Sequence, residues 1–193
     1  MRHTCRPSSH LRTFRIGLRR FLRERSGFSA TEFALMTPFL LLTLVSEFAI
    51  GEAVSVSRKV VITTHSVVDL VTQYTSLTTA GVTSILNASA QIAAPFSTAG
   101  MSIVLAELNT DAGGATTVKW SKAVNGQALV AGASFTPPAN VAQRSSSLIY
   151  GQVTYRYTPP VATALFSNGI PISYSIYMSP RIVGCIPLDT DSC

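Results

Sequence analysis

The sequence predicts an α+β fold: a long N-terminal helix, part transmembrane and part stalk, carrying a small antiparallel β-sheet. Three observations predict it. An apolar run from Phe33 to Ile50 follows a strongly basic arm, a helical period of apolar positions then continues past the run, and from Met101 onward short alternating stretches are separated by Gly, Pro and Asn turn signals. The expected organisation is a basic leader over residues 1–27, a transmembrane helix over 28–50, a helical stalk with a second helix over 51–99, and an exported β domain over 100–193.

Composition sets the class before any motif is considered. Hydrophobic residues make up 47% of the 193-residue chain and charged residues 12%, too apolar for disorder and low in charge for a cytosolic globule. The net charge of +6 is not spread along the chain. Through Gly27 there are eight arginines against one acid, Glu24, a balance of +7; the remainder sets seven basic residues against eight acids, a balance of −1. A basic arm can hold nucleic acid by its phosphates, but arginines directly before an apolar run are what the positive-inside rule places on the cytoplasmic side of a membrane. A nucleic-acid partner is therefore not expected. A membrane is, with the short basic end inside and the C-terminal part outside.

The apolar stretch Phe33–Ile50 reaches roughly 27 Å as a helix, just enough to cross the hydrocarbon. Pro38 offers no N–H and would bend the helix mildly, while the hydroxyls of Thr37 and Thr43 can fold back onto the backbone. Two carboxylates, Glu32 and Glu47, sit where hydrocarbon disfavours them. Glu47 lies near the outer headgroups, where it either reaches water or pairs with a partner subunit.

The segment "RSGFSATEFALMTPFLLL" places a basic leader ending in Gly27, then a hydrophobic Phe28, then Glu32 at the fifth position after the glycine with Phe33 beside it, all before the span. An ordinary secretory signal has its cleavage site after the apolar run. The order here resembles the type IV prepilins, and within them the TadE/TadF-type minor pseudopilins of the tight-adherence (Tad, or Flp) pilus. The resemblance covers about residues 19 to 60. It implies cutting by a prepilin peptidase after Gly27, with Phe28 as the new N-terminus, and it implies that Glu32 and Phe33 set the register between subunits, Glu32 by pairing with the new α-amine. The implied partners are the peptidase, other pseudopilins or pilin subunits and the inner-membrane assembly platform. The implied location is a bacterial inner membrane, with the C-terminal domain periplasmic and the subunit in or at the base of a pilus. The alternative is an uncut, single-pass anchored binding or adhesin module.

Beyond Gly51, apolar residues at Val60, Thr64, Val67, Val71 and Tyr74, with Val61, Val68 and Leu70 alongside, extend the helix to about Leu77. Arg58 and Lys59 would reach headgroup phosphates. A second helix is expected from Gly81 to Ala94, ended by Pro95, with Val82, Ile85, Leu86, Ala90 and Ala93 on its packed side. "MSIVLAEL" and "TTVKWSKAV" flank a "DAGG" turn. "SLIYGQVTYRYT" puts Ile149, Gly151, Val153, Tyr155 and Tyr157 on one face of a half-buried strand, and "PISYSIYM" directs Ile172, Tyr174, Ile176 and Met178 inward. A helical turn and an Asn168-Gly169 corner are expected between those two strands. The clustered tyrosines either fill a small core or leave a face for a partner.

Residues for catalysis are scarce. His65 is the lone histidine after the arm, and Asp69 one turn on suggests a plain surface pair. Neither a metal centre nor a cofactor motif is assembled, and no enzyme is expected. Glu107, Asp111, Asp189 and Asp191 carry no spacing that singles out a carboxylate pair. Cys185 and Cys193 can close a disulfide if exported, and are two unrelated thiols otherwise.

Overall fold

A computed structural model of the chain describes residues 27–138, 141–159 and 168–190. The expected leader, the helical turn before Asn168 and Cys193 with Asp191 lie outside them, apart from Gly27 itself. The chain divides into two compact units, residues 1–47 and 48–193.

Helix α1 runs from Gly27 to Thr72. It passes through Pro38 without ending, and four hydroxyls along it are folded onto the helix backbone: Thr31 donates to the Phe28 carbonyl at 2.8 Å, Thr37 to Phe33 at 2.7 Å, Thr43 to Leu40 at 2.8 Å and Ser46 to Leu42 at 2.7 Å. Satisfied in this way, the hydroxyls tolerate an apolar medium. The helix stops five residues short of the expected Leu77. Its last carbonyls are taken by tighter bonds, Gln73 N–H to Leu70 and Tyr74 N–H to Val71, and by Arg181 N–H, which bonds the Thr72 carbonyl at 3.0 Å. Leu77 is instead drawn into a parallel bridge with Leu188.

Helix α2 spans Thr79–Ala90, starting two residues before the expected Gly81 because Thr78 caps it, accepting the Gly81 N–H. The expected last turn to Ala94 is a separate 3-10 turn, Gln91–Ala93.

Four strands follow: β1 (Met101–Thr110), β2 (Thr116–Val124), β3 (Ser146–Tyr157) and β4 (Ile170–Met178). They form one antiparallel sheet in the order β2-β1-β3-β4. Asp111 closes the β1–β2 hairpin by accepting the Ala115 N–H, and Gly114 takes the positive φ (94°) that the turn requires.

The sheet's main face packs on the second half of α1 and on α2. Val56, Val60, Val67, Val68 and Val71 of α1 and Val82 and Leu86 of α2 are buried with Ile103, Leu105, Ile149 and Val153 of the sheet. Gly151 marks the closest approach. A Cβ there would stand 2.2 Å from a Val68 methyl, so only glycine lets the strand lie on the helix at that level.

The opposite sheet face differs from expectation. β3 is not half-buried throughout: Leu148 and Tyr150 are covered too, because the segment between β2 and β3 folds over them with Leu129, Phe135 and Val141. Phe135, Tyr150 and Tyr177 form an aromatic cluster with centroids 5.1 to 6.4 Å apart. Tyr150, Tyr155 and Tyr157 are buried, so most of the tyrosines fill core. Of the β4 residues expected to face inward, Ile172, Ile176 and Met178 pack against the core, whereas Tyr174 reaches past its edge and is exposed.

Candidate functional site: the apolar start of α1 and the anchors beside it

Gly27 is the first residue of α1, so the Gly27–Phe28 bond lies at the helix start. From Phe28 to Ile50 the large apolar side chains stand exposed, from 55% for Leu41 to 71% for Phe28. This helix is long and apolar enough to cross a membrane, and among the described residues none buries its most apolar stretch. Glu32 follows Phe28 by four residues and so shares its helix face. Phe33 is 68% exposed, and its carbonyl holds the Thr37 hydroxyl. Glu47 is exposed as well. It lies about 22 Å from Glu32 along the axis, as fifteen helical residues require.

Five residues beyond Glu47 the carboxylate environment changes. Glu52 accepts the Tyr157 hydroxyl at 2.9 Å, and the same hydroxyl lies 3.2 Å from the Ala49 carbonyl. The tyrosine's pKa is pushed up to about 12, chiefly by burial and further by Glu52, whose bond and charge both oppose ionisation. This contact ties the end of β3 to α1 where its apolar run stops. The sequence placed Tyr157 on the inward face but gave Glu52 no role; a tyrosine partner 105 residues away in the chain carries no local signal.

A second site surrounds Glu107, which the sequence named only as a carboxylate that no spacing singled out. Glu107 continues the inward alternation of Met101, Ile103 and Leu105 and is fully buried. Its carboxylate accepts the Ser147 hydroxyl at 2.7 Å, the Ile186 N–H at 2.9 Å and the Trp120 indole N–H at 2.8 Å. Trp120 shares that hydrogen with the Ile186 carbonyl, also at 2.8 Å. Burial pushes the Glu107 pKa up, while the three donors oppose the shift. The carboxylate thereby holds the C-terminal strap, whose next residues bond the loop between the helices: Leu77 N–H to Pro187 and Asp189 N–H to Leu77. Asp189 also accepts the Thr79 N–H and hydroxyl, which lowers its pKa. An acid alternating with apolar residues was the available signal.

His65 and Asp69 do not pair with each other as expected. His65 stacks on Tyr174 with centroids 5.7 Å apart, and Asp69 takes Arg181 and the Gln73 amide. The sheet edge and the C-terminal strap supply better-placed partners than the same helix does. Lys59 donates to the Ile92 carbonyl at 3.3 Å and is thus held against the 3-10 turn, while Arg58 is exposed. Cys185 is disulfide-bonded; Cys193, its expected partner, lies outside the described residues. Among the described residues no group of three His, Cys, Asp or Glu side chains could hold a metal ion. In comparisons with protein-family models, curated proteins and solved structures, nothing matches this chain.

Proposed function

We propose that the chain is a minor pseudopilin of a Tad-type pilus, cut after Gly27 by a prepilin peptidase and held in a bacterial inner membrane by the start of α1. The observation that carries this reading is the junction itself: the basic arm ends where α1 begins, and the exposed apolar helix that follows bears Glu32 one turn from Phe28. A long helix with an antiparallel sheet packed on its far half is consistent with a pilin-like layout. Cutting after Gly27 removes eight arginines and places a new ammonium on Phe28. In hydrocarbon that ammonium and the Glu32 carboxylate of the same or a neighbouring subunit need each other, because either charge alone is costly there. A one-residue slip between subunits would separate them, so the pair sets axial register. The other pseudopilins, the pilin subunits and the assembly platform are the partners of this surface, and the sheet domain is on the periplasmic side.

The decisive measurement is the intact mass and N-terminal sequence of the protein recovered from its host's membranes. A start at Phe28 is expected; a start at Met1 would leave the uncut anchored module. Glu32→Ala is expected to insert and be cut but not be incorporated, as read by immunoblotting of sheared pili against membranes. Normal incorporation would remove the register role.

A further inference from the structure

The sheet face turned away from α1 is apolar at one end and polar at the other, and the polar end is the one toward Ala49 and Glu52 of α1. β3 descends alongside α1. Gly151 lies against Val68, and six residues later the Tyr157 hydroxyl reaches Ala49 and Glu52. Six strand residues cover about 20 Å, and the sixteen helical residues from Val68 to Glu52 cover about 24 Å. The two lengths match once the tyrosine side chain is added. Arg156, five strand residues from Gly151, lies about 17 Å along that path, level with about Ser57 of α1 and so roughly 10 Å beyond the end of the apolar run at Ile50.

At that end the register lines up three hydroxyls across neighbouring strands, Ser102 opposite Thr154 and Thr154 opposite Ser173. Beside the row is a cleft of about 350 Å³, lined by Gly100, Ser102, Asn125, Gly126, Thr154 and Arg156 among others. Arg156 is exposed, and among the described residues its one bond is to the Asn168 carbonyl at 3.3 Å. Among the described residues, no acidic side chain lines the cleft. Asn125 spends its amide hydrogens on the Thr98 and Met101 carbonyls, which leaves Arg156, Ser102 and Thr154 as the donors. Gly126 makes room for the Ser102 hydroxyl, since a Cβ there would come within 2.1 Å of it.

We propose that this cleft binds the phosphate of a phospholipid headgroup, with Arg156 as its charged donor and Ser102 and Thr154 completing the shell. A guanidinium matches phosphate geometry with paired hydrogen bonds, and hydroxyls donate to the remaining oxygens. The volume suits a phosphoglycerol group, while the acyl chains stay in the bilayer beside α1. Bound headgroups would hold the sheet's lower end on the membrane surface through a second contact besides α1. The inference rests on the Phe28–Ile50 span and not on the pilus reading, so N-terminal sequencing and the test below fail independently.

The test is a titration of the full-length protein, in an uncharged maltoside detergent, with dihexanoyl phosphatidylglycerol, following amide NMR shifts. Saturable shifts concentrated at Gly100, Ser102, Gly126 and Thr154 are expected. Arg156→Gln should raise the apparent Kd about tenfold or more, the loss of a charge-assisted pair. The double variant Ser102→Ala/Thr154→Val should weaken binding while keeping the dispersion of the folded spectrum. Dihexanoylglycerol, which lacks the phosphate, should leave these amides unmoved. Equal shifts with dihexanoylglycerol, or an unchanged Kd in Arg156→Gln, would overturn the proposal. Inorganic phosphate binding as tightly as the lipid would overturn the lipid assignment in favour of a free anion.

Discussion

The two halves of α1 are continuous in backbone and opposite in environment. From Phe28 to Ile50 the helix carries Phe and Leu side chains that stand exposed; from Val56 to Val71 it carries Val and Thr that are buried to 1% or less. The difference lies in what each half meets. A lipid-facing helix gains by presenting long side chains all round, whereas a helix under a sheet needs short, stiff, β-branched side chains that let strands approach closely. The poor helix propensity of that second half is offset by packing. The carboxylates divide in the same way. Glu32 and Glu47 are exposed on the first half, while Glu52 accepts Tyr157 and Glu107, on the sheet, is enclosed by three donors.

The contrast can be broken at its tightest point first. Gly151→Val forces a side chain into Val68, and overpacking on this scale should cost about 3 kcal/mol of unfolding free energy, measured by denaturant titration of the full chain in detergent. An unchanged midpoint would mean that strand and helix are not in contact there.

Glu107→Gln comes next, because an amide turns hydrogens toward donors that need an acceptor. A loss of about 2 kcal/mol is expected at pH 4. Burial raises the folded pKa above the ordinary 4.5, so the proton is held more tightly in the folded state. The native residue's contribution is therefore complete below 4.5 and declines as pH rises through the folded value. The gap between native and Gln protein should narrow from pH 4 to 7. A gap that widens would show that the ionised form is the favoured one.

A matched pair tests the two halves directly. Val60→Ala should cost about 2 kcal/mol through the cavity it leaves, and Leu41→Ala no more than about 0.5 kcal/mol of sheet-domain stability. Equal losses would remove the distinction between an exposed and a packed half. The smallest effect is a gain. The Thr63 hydroxyl is buried without a hydrogen-bond partner among the described residues, so Thr63→Val, nearly the same shape, should stabilise by about 1 kcal/mol.

Much of the architecture was legible because it is written in local periods. The apolar run, the valine stripe of α1, the alternation in β3 and the glycine turn after β1 each span a few residues whose spacing alone states a face or a bend. The elements that went astray did so at their ends. α1 stops at Thr72 where the C-terminal strap, more than a hundred residues away, takes the Thr72 carbonyl and bridges Leu77, and α2 starts at Thr79 on the Thr78 cap with a further bond from the Thr79 N–H to the strap's Asp189. His65 and Asp69 likewise left each other for Tyr174 and Arg181.

The sequence by itself determined the charge asymmetry about Gly27, an apolar helix long enough to cross a membrane, the placement of Glu32 and the α+β class, since these depend on composition and on spacings within a turn or two. Tertiary structure alone decided that Glu107 is a buried acceptor, that Gly151 is a point of contact, that β3 lies between β1 and β4, and that Ser102, Thr154 and Arg156 share one cleft. Those facts depend on which distant segments meet. Burial and hydrogen-bond satisfaction are properties of the assembled neighbours and not of a residue's place in the chain.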